Sequence, residues 1–146
     1  MKLLNIVIIN GPNLNLLGIR ETAIYGSTSF NDYFKQLQKK FQQIKFSYHQ
    51  TNIEGEIIDL LHQYGFKGKA DTIILNPGGY SHTSVAICDA IAAIETPVIE
   101  VHISNIYARE EYRHTSLTAK HCKGLVSGFG LASYTLALQS VLNERK

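Results

Sequence analysis

A carboxylate and an imidazole interrupt an apolar run near the middle of this 146-residue sequence. The segment 97–116 reads PVIEVHISNIYAREEYRHTS, and its apolar residues predict a short buried strand. Glu100 and His102 lie two positions apart, so their side chains point to the same face of that strand. The carboxylate could orient the ring and favour its protonated, proton-donating form. The pair predicts acid–base chemistry, although a histidine at a strand end is more often a hydrogen-bonded structural residue.

A tyrosine and an arginine form a second candidate pair, on the connection at about residues 18–26. Gly18 and Gly26 flank this connection, which we expect to be mobile and to close as a lid. A free phenol keeps its proton at neutral pH, so a phenol that acts as a base needs a nearby cation to stabilise its phenolate. Arg20 is a plausible cation for Tyr25. In an arbitrary protein, both would more often be ordinary surface residues of a loop.

Strands alternate with helices along the whole chain. Five β-type runs are predicted at 3–9, 46–50, 72–75, 97–102 and 124–127, and helical spacing of apolar residues predicts helices at 30–41, 54–64, 84–94 and 132–142. Because a parallel crossover needs a helix to return the chain, this alternation predicts a parallel sheet. Five strands favour a flavodoxin-like, three-layer α/β sandwich with strand order 2-1-3-4-5, formed by residues 1–146 as a single domain.

Polar residues follow the predicted strands, where sheets of this kind bind their ligands. Amides, hydroxyls and histidines recur there: Asn10, Asn13, Gln50, Thr51, Asn52, Asn76, Ser81, His82, Ser104 and Asn105. Ordinary turn formers explain any one of these loops, but four loops at one edge of a sheet favour a site. The chemistry is mostly neutral hydrogen bonding, which suits a polyhydroxylated small molecule better than a phosphate or a metal.

The overall composition disfavours several kinds of partner. The net charge is +2 and the 14 basic residues are scattered, so nucleic-acid binding is not expected. The apolar run near the N-terminus is too short for a signal peptide or a membrane span, and we expect a cytoplasmic protein with no membrane partner. Cys88 and Cys122 fit no disulfide framework, and Cys88 is expected to be a small core residue.

Four long motifs resemble those of the type II 3-dehydroquinate dehydratases. They are INGPNLNLLGIRETAIYG, QTNIEGEIIDLLH, ILNPGGYSHTSVAICDAI and PVIEVHISNIYAREEYRHTS, followed by GFGLASYTLAL. The resemblance covers nearly the whole chain. It implies a hydro-lyase without cofactor or metal that converts 3-dehydroquinate to 3-dehydroshikimate by trans elimination through an enolate, the third step of the shikimate pathway towards chorismate and the aromatic amino acids. It also implies a homododecamer, a tetramer of trimers.

The same resemblance implies a role for each candidate residue. The catalytic residues would be Tyr25 as base, Arg20 as its activator, His102 as general acid, Glu100 as its support, and Asn13 as the holder of a water against the enolate. The substrate contacts would be Asn76, His82 and Arg113, with the backbone N–H groups of Ile103 and Ser104 for a carboxylate. Thr22, Thr51, Gly79 and Ser81 depart from the residues that are common in the family, but none of these departures removes a functional group.

Asp89 lies in the apolar segment SVAICDAIAAI, where an ionised carboxylate buried without a partner would be costly. It therefore either faces solvent or finds a partner on another subunit. The resemblance implies the second arrangement, with Asp89 at the edge of a neighbouring subunit's site within the trimer. The apolar helix would then be an interface.

Other functional classes lack residues that they need. A flavin carrier would have a Ser/Thr-rich phosphate loop where NGPNLN stands, and a phosphoacceptor domain would have acids in place of Asn10 and Asn76. The histidines form no short ligand pair for zinc, and no lysine lies in the strand-end loops to form a Schiff base. The remaining alternative is a flavodoxin-like small-molecule or flavin-binding module without dehydratase activity.

Overall fold

A five-stranded parallel sheet forms the centre of the molecule, whose computed structural model describes residues 2–145. The strands are β1 Leu4–Asn10, β2 Ile44–Gln50, β3 Thr72–Asn76, β4 Val98–His102 and β5 Gly124–Ser127. Their order in the sheet is β2-β1-β3-β4-β5, and every neighbouring pair is parallel. The predicted order and the flavodoxin-like α/β architecture are confirmed.

Helices connect the strands and cover both faces of the sheet. They are α1 Thr22–Tyr25, α2 Phe30–Lys40, α3 Glu54–Tyr64, α4 Val85–Ala93 and α5 Ala132–Glu144. Ser29 and Ser84 cap α2 and α4, because their hydroxyl oxygens accept the N–H groups of Asp32 and Ile87. Within the described residues, no helix has the length and apolarity that a bilayer crossing requires.

The alternation of side chains along each strand divides the core into two layers. On β1, Ile6 and Ile8 pack with residues of α2 and α5, whereas Val7 and Ile9 pack with residues of α3 and α4. Strands that are buried on both faces read as continuous apolar runs, which is why these segments are recognisable in the sequence.

Two polar side chains break the pattern on β4. Val98 belongs to the layer of α3 and α4, and Ile99 and Val101 belong to the opposite layer. By the same alternation, Glu100 and His102 point towards the layer of Val98. Both are buried, with 0% and 5% of their surface exposed. Burying a carboxylate and an imidazole in an apolar core is costly, so this face of β4 indicates a functional site.

The strands differ slightly from their predicted limits. β1 is shifted by one residue from the predicted 3–9 and ends at Asn10, and β3 extends one residue past its apolar run to Asn76; both asparagines are buried. β2 begins at Ile44, two residues before the predicted start, because that side chain packs into the core. Cys88 is half-buried, so the expectation that it is a core residue is wrong.

The ends of β1 and β3 approach each other closely. The N–H of Gly11 donates to the carbonyl of Asn76 at 2.7 Å. A Cβ at position 11 would lie 2.8 Å from the carbonyl oxygen of Pro77, so only glycine fits there. This contact brings the loop that carries Asn13 beside the loop that carries His82.

Candidate active site

A cavity of about 120 Å³ lies at the carboxyl ends of β1, β3 and β4. All but two of the predicted site residues line it: Asn13, Arg20, Tyr25, Asn76, His82, His102, Ile103, Ser104 and Arg113. The two exceptions are Glu100, which is buried behind His102, and Asp89, which lies on α4. The cavity is lined mainly by amide, hydroxyl, imidazole and guanidinium groups, as a polyhydroxylated acid would require.

Glu100 and His102 form a buried pair. His102 Nε2 lies 2.7 Å from Glu100 Oε2 and donates its proton to that oxygen. The other ring nitrogen, Nδ1, is therefore the one left for a ligand in the cavity. A protonated His102 is a proton donor whose ring is held in place from behind.

Three donors surround the carboxylate of Glu100. Besides His102, Ser116 Oγ donates to Oε2 at 2.6 Å, and Thr118 Oγ1 donates to Oε1. Burial alone would raise the pKa of Glu100, but the hydrogen bonds and the charge of His102 outweigh it and lower the pKa below the ordinary 4.5. Glu100 is ionised at neutral pH as a result.

His82 faces His102 across the cavity, and their ring centroids are 6.2 Å apart. Its Nδ1 donates to the carbonyl of Thr115 at 2.9 Å, which leaves Nε2 without a proton in the neutral ring. Burial lowers the pKa of His82, so the ring is neutral at neutral pH. His82 can thus accept a hydrogen bond from a ligand hydroxyl.

The phenol of Tyr25 meets two guanidinium groups. Arg109 Nη1 donates to Tyr25 Oη at 2.9 Å, and the Arg20 Cζ lies 4.6 Å from the centre of the ring. Arg20 is also paired with Glu21 at 2.5 Å, which offsets part of its charge. The predicted cation therefore lies over the face of the ring, whereas Arg109 contacts the oxygen that would carry the charge.

The predicted lid segment contains the single helical turn α1. Gly18 and Gly26, with φ of 95° and 84°, adopt the left-handed backbone that favours glycine on either side of it. At position 18 the backbone of residues 27–29 is also close enough to exclude a side chain. The turn carries Tyr25 over the cavity, where its hydroxyl meets Arg109.

The end of β3 holds Asn76 rigidly. Its Nδ2 donates to the buried hydroxyl of Tyr134 at 2.9 Å, and its Oδ1 accepts the N–H of Gly78 at 3.1 Å. The Tyr134 hydroxyl in turn donates to Asn10 Oδ1 at 2.7 Å. Asn76 thus has one N–H and one lone pair left for a ligand.

The backbone that follows β4 is fixed through its carbonyl groups. The carbonyl of Ile103 accepts the N–H of Gly130 at 3.0 Å, and the carbonyl of Ser104 accepts Ser127 Oγ at 3.0 Å. With the peptides held in this way, N–H groups at the cavity edge are suited to an anionic ligand.

Asp89 lies on an exposed face of α4 and does not line this cavity. Val85, on the same helix, is 61% exposed. In the single chain the Asp89 carboxylate therefore faces solvent, which is the first of the two arrangements expected from the sequence.

Three residues of this site, Arg109, Ser116 and Thr118, have no role assigned from the sequence. All three lie in the connection between β4 and β5, which consists of the 3-10 helices Ile106–Ala108, Glu111–Arg113 and Thr118–His121. Because Tyr25 needs a nearby cation, Arg109 could have been considered as a candidate from the sequence. It lies in the same polar segment as Arg113.

Comparison with known proteins agrees with this geometry. The family model described as dehydroquinase class II matches residues 4–142. A 3-dehydroquinate dehydratase of Caldicellulosiruptor bescii is 55% identical, with 93% of this chain and 94% of that protein covered. A 3-dehydroquinate dehydratase of Clostridium perfringens is 50% identical, with 98% and 100% covered.

A solved structure shows the same similarity in three dimensions. The crystal structure of a type II dehydroquinase from Butyrivibrio crossotus has a TM-score of 0.90 and 41% identity, with 94% of this chain and 97% of that chain covered. The family match extends over nearly the whole chain, and the relatives align over nearly their full lengths. The chain therefore belongs to the class II dehydroquinase family.

Proposed function

We propose that this chain is a hydro-lyase that dehydrates 3-dehydroquinate to 3-dehydroshikimate, as the third step of the shikimate pathway. The single observation that carries the proposal is one cavity with a cation-bound phenol and a carboxylate-backed imidazole. Elimination of water next to a ketone needs these two groups, a base and an acid. The alternative of a flavin-binding module is not favoured, because the family and the named relatives are dehydratases.

The first step is removal of a proton from the carbon next to the ketone. Tyr25, as phenolate, takes this proton, and the electron pair moves onto the ketone oxygen to give an enolate. Arg109 and Arg20 lie beside the phenol and stabilise its anionic form. Asn13 holds a water against the enolate oxygen. An asparagine has no charge to offer, so its role is hydrogen bonding.

The second step expels the hydroxyl group of the next carbon. The enolate electrons form the new carbon–carbon double bond, and His102 gives a proton to the departing oxygen, which leaves as water. The ionised Glu100 stabilises the imidazolium before this transfer. The lid segment at residues 18–26 opens to admit the substrate and closes to bring Tyr25 over it.

The remaining groups bind the substrate. Asn76, His82 and Arg113 contact the ring hydroxyls, and the N–H groups of Ile103 and Ser104 bind the carboxylate. The neutral state of His82 supports this role, because its unprotonated nitrogen can accept a hydrogen bond from a substrate hydroxyl in place of the long contact with Ser81 Oγ at 3.3 Å.

The test is formation of 3-dehydroshikimate by the purified protein in metal-free buffer with chelator. We expect full activity without any added cofactor. Loss of activity after exhaustive chelation, restored by a divalent ion, would contradict the proposed route. Borohydride added with the substrate should not inactivate the protein, and a reducible covalent adduct seen by mass spectrometry would show an imine mechanism instead.

Assembly and location complete the proposal. The active form is a homododecamer built as a tetramer of trimers, in which Asp89 reaches a neighbouring subunit's site. The exposed apolar surface of α4 around Val85 supports such an interface. The location is the cytoplasm, which the free thiols of Cys88 and Cys122 support.

A further inference from the structure

Two hydroxyl groups behind the active site complete the surroundings of Glu100. Thr118 is fully buried and donates to Oε1, whereas Ser116 is half-buried and donates to Oε2 at 2.6 Å. Ser116 Oγ also accepts the N–H of Ala119 at 3.2 Å, so its own proton is available for Glu100. Neither residue lines the cavity, so both can affect the reaction only through the carboxylate of Glu100.

We propose that Ser116 and Thr118 are positioning residues, whose hydroxyls stabilise the Glu100 carboxylate and direct its Oε2 at Nε2 of His102. The ring then presents Nδ1 to the cavity. This inference rests on the proposed function of His102 as the proton donor. The connection after β4 would then contribute to proton transfer by His102 as well as to packing.

The geometry accounts for the different partners of the two carboxylate oxygens. Oε2 receives the imidazole and Ser116, and Oε1 receives Thr118, so the carboxylate cannot rotate without breaking a hydrogen bond on each side. Three donors also stabilise the charge that burial opposes, which is why the pKa of Glu100 is lowered. Removal of either hydroxyl weakens both effects at once.

The backbone that carries the two hydroxyls has anchors besides the hydrogen bond from the N–H of Ala119 to Ser116 Oγ. The N–H of Leu117 donates to the carbonyl of Ser81 at 2.7 Å, and the carbonyl of Thr115 accepts His82 Nδ1. The segment 115–118 therefore keeps its place when a side chain loses its oxygen. Substitutions that remove only the hydroxyl are consequently informative.

The titratable groups near Glu100 are few, and their titrations can be distinguished from that of Glu100. On the neighbouring strands, the residues in register with Glu100 are the apolar Leu75 and Leu125. Among the described residues, the other titratable neighbours are His102 on the same strand, with His82 and Cys122 from other elements. Burial raises the pKa of Cys122 to about 12, so that thiol stays neutral. His82 titrates on its own ring, which can be observed separately.

The titration of Glu100 itself is the first measurement. With glutamate labelled at its carboxyl carbon, carbon NMR reports each carboxyl, and Glu100→Gln identifies the signal. In Thr118→Val and Ser116→Ala we expect the Glu100 carboxyl to titrate about one pH unit higher than in the wild type. Thr118→Ser, which restores the hydroxyl, should return the titration towards the wild-type value.

The steady-state kinetics are the second measurement. Thr118→Val should lower kcat about tenfold, a part of the roughly 10²–10⁴-fold that a positioned proton donor contributes, with little change in KM. Thr72→Val is the matched control, since Thr72 is also buried and its hydroxyl donates to a backbone carbonyl at the start of β3. It should change stability without changing kcat or the Glu100 titration.

Either of two results would overturn the inference: an unchanged Glu100 titration in both hydroxyl variants, or an equal loss of kcat in Thr72→Val. Should Thr118→Val fail to fold by circular dichroism, Ser116→Ala, at a half-buried position, decides the question through the same titration. A wild type without dehydratase activity would refute the proposed function instead, and the carbon titration would still decide whether the hydroxyls stabilise the charge of Glu100.

Discussion

The phenol of Tyr25 has an environment that suits a charged oxygen. Arg109 donates directly to Oη, and Arg20 covers the ring face. A guanidinium that contacts the oxygen stabilises a phenolate more than one over the ring, since the negative charge is concentrated on oxygen. The contacts therefore distinguish the two arginines, which are identical in residue type: Arg109 stabilises the phenolate oxygen, and Arg20 packs on the ring.

Tyr25→Phe removes only the phenolic oxygen, and the ring still packs. We expect kcat to fall by about 10²-fold or more with KM little changed, since a positioned base contributes that much. The matched control is Tyr107→Phe, at an exposed tyrosine beyond the cavity lining. A near-normal kcat in Tyr25→Phe would mean that another group is the base.

Arg109→Gln should lower kcat more than Arg20→Gln does. The first change removes the cation bound to Oη. Arg20 lies 2.5 Å from a Glu21 oxygen, whereas the glutamate beside Arg109, Glu110, is at 3.9 Å, so the charge of Arg20 is offset more. The comparison is of kcat for the two variants at one pH, with Arg145→Gln as an exposed control. An equal or larger loss in Arg20→Gln would make Arg20 the principal activator, as the sequence resemblance implies.

At the scale of elements, strands and helices were predictable because their signals are local. Continuous apolar runs and helical spacing predict the parallel sheet, and its order follows from the flavodoxin-like arrangement that five alternating strands favour. The period of two along β4 also predicted that Glu100 and His102 share a face. Arg109, Ser116 and Thr118 were not predictable in this way, because the 3-10 connection after β4 has no periodicity and its contacts depend on tertiary structure.

The asparagines that end β1 and β3 show a further limit of local signals. Asn10 and Asn76 look like turn residues in the sequence, yet both continue their strands. The reason is the hydroxyl of Tyr134, which joins them from α5, far away in the sequence. A buried amide can extend a strand when a distant side chain satisfies it.

Tyr134→Phe tests this link between α5 and the strand ends. The change leaves two buried amides with a missing partner, so the free energy of unfolding should fall by about 1–3 kcal/mol. KM should rise as well, because Asn76 loses the contact that fixes its side chain. The measurements are chemical denaturation and steady-state kinetics.

Tyr33→Phe is the control for that experiment, since Tyr33 is only half-buried and its hydroxyl contacts Thr135 on the same helix as Tyr134. It should cost less stability and leave KM unchanged. If Tyr134→Phe behaves like this control, the hydroxyl of Tyr134 does not hold the strand ends.

For the whole molecule, α4 presents a surface that is unusual for a single chain. Its buried residues Ile87, Ala90 and Ile91 face the sheet, while Val85 and Asp89 lie on the outer side. A carboxylate on an otherwise apolar helix face fits an interface in which it meets a partner group of another subunit. Under the proposed assembly, activity depends on association.

Asp89→Ala should therefore weaken both association and turnover. Loss of the carboxylate would leave its partner group unpaired, at a cost of about 1–3 kcal/mol at a buried position. The measurement is sedimentation together with specific activity over a dilution series of wild type, Asp89→Ala and the control Glu95→Ala, an exposed carboxylate just beyond α4. We expect the variant to dissociate and lose activity at higher protein concentration than the other two proteins. A dissociated wild type with full specific activity would contradict a site shared between subunits, even if the dehydratase activity itself is present.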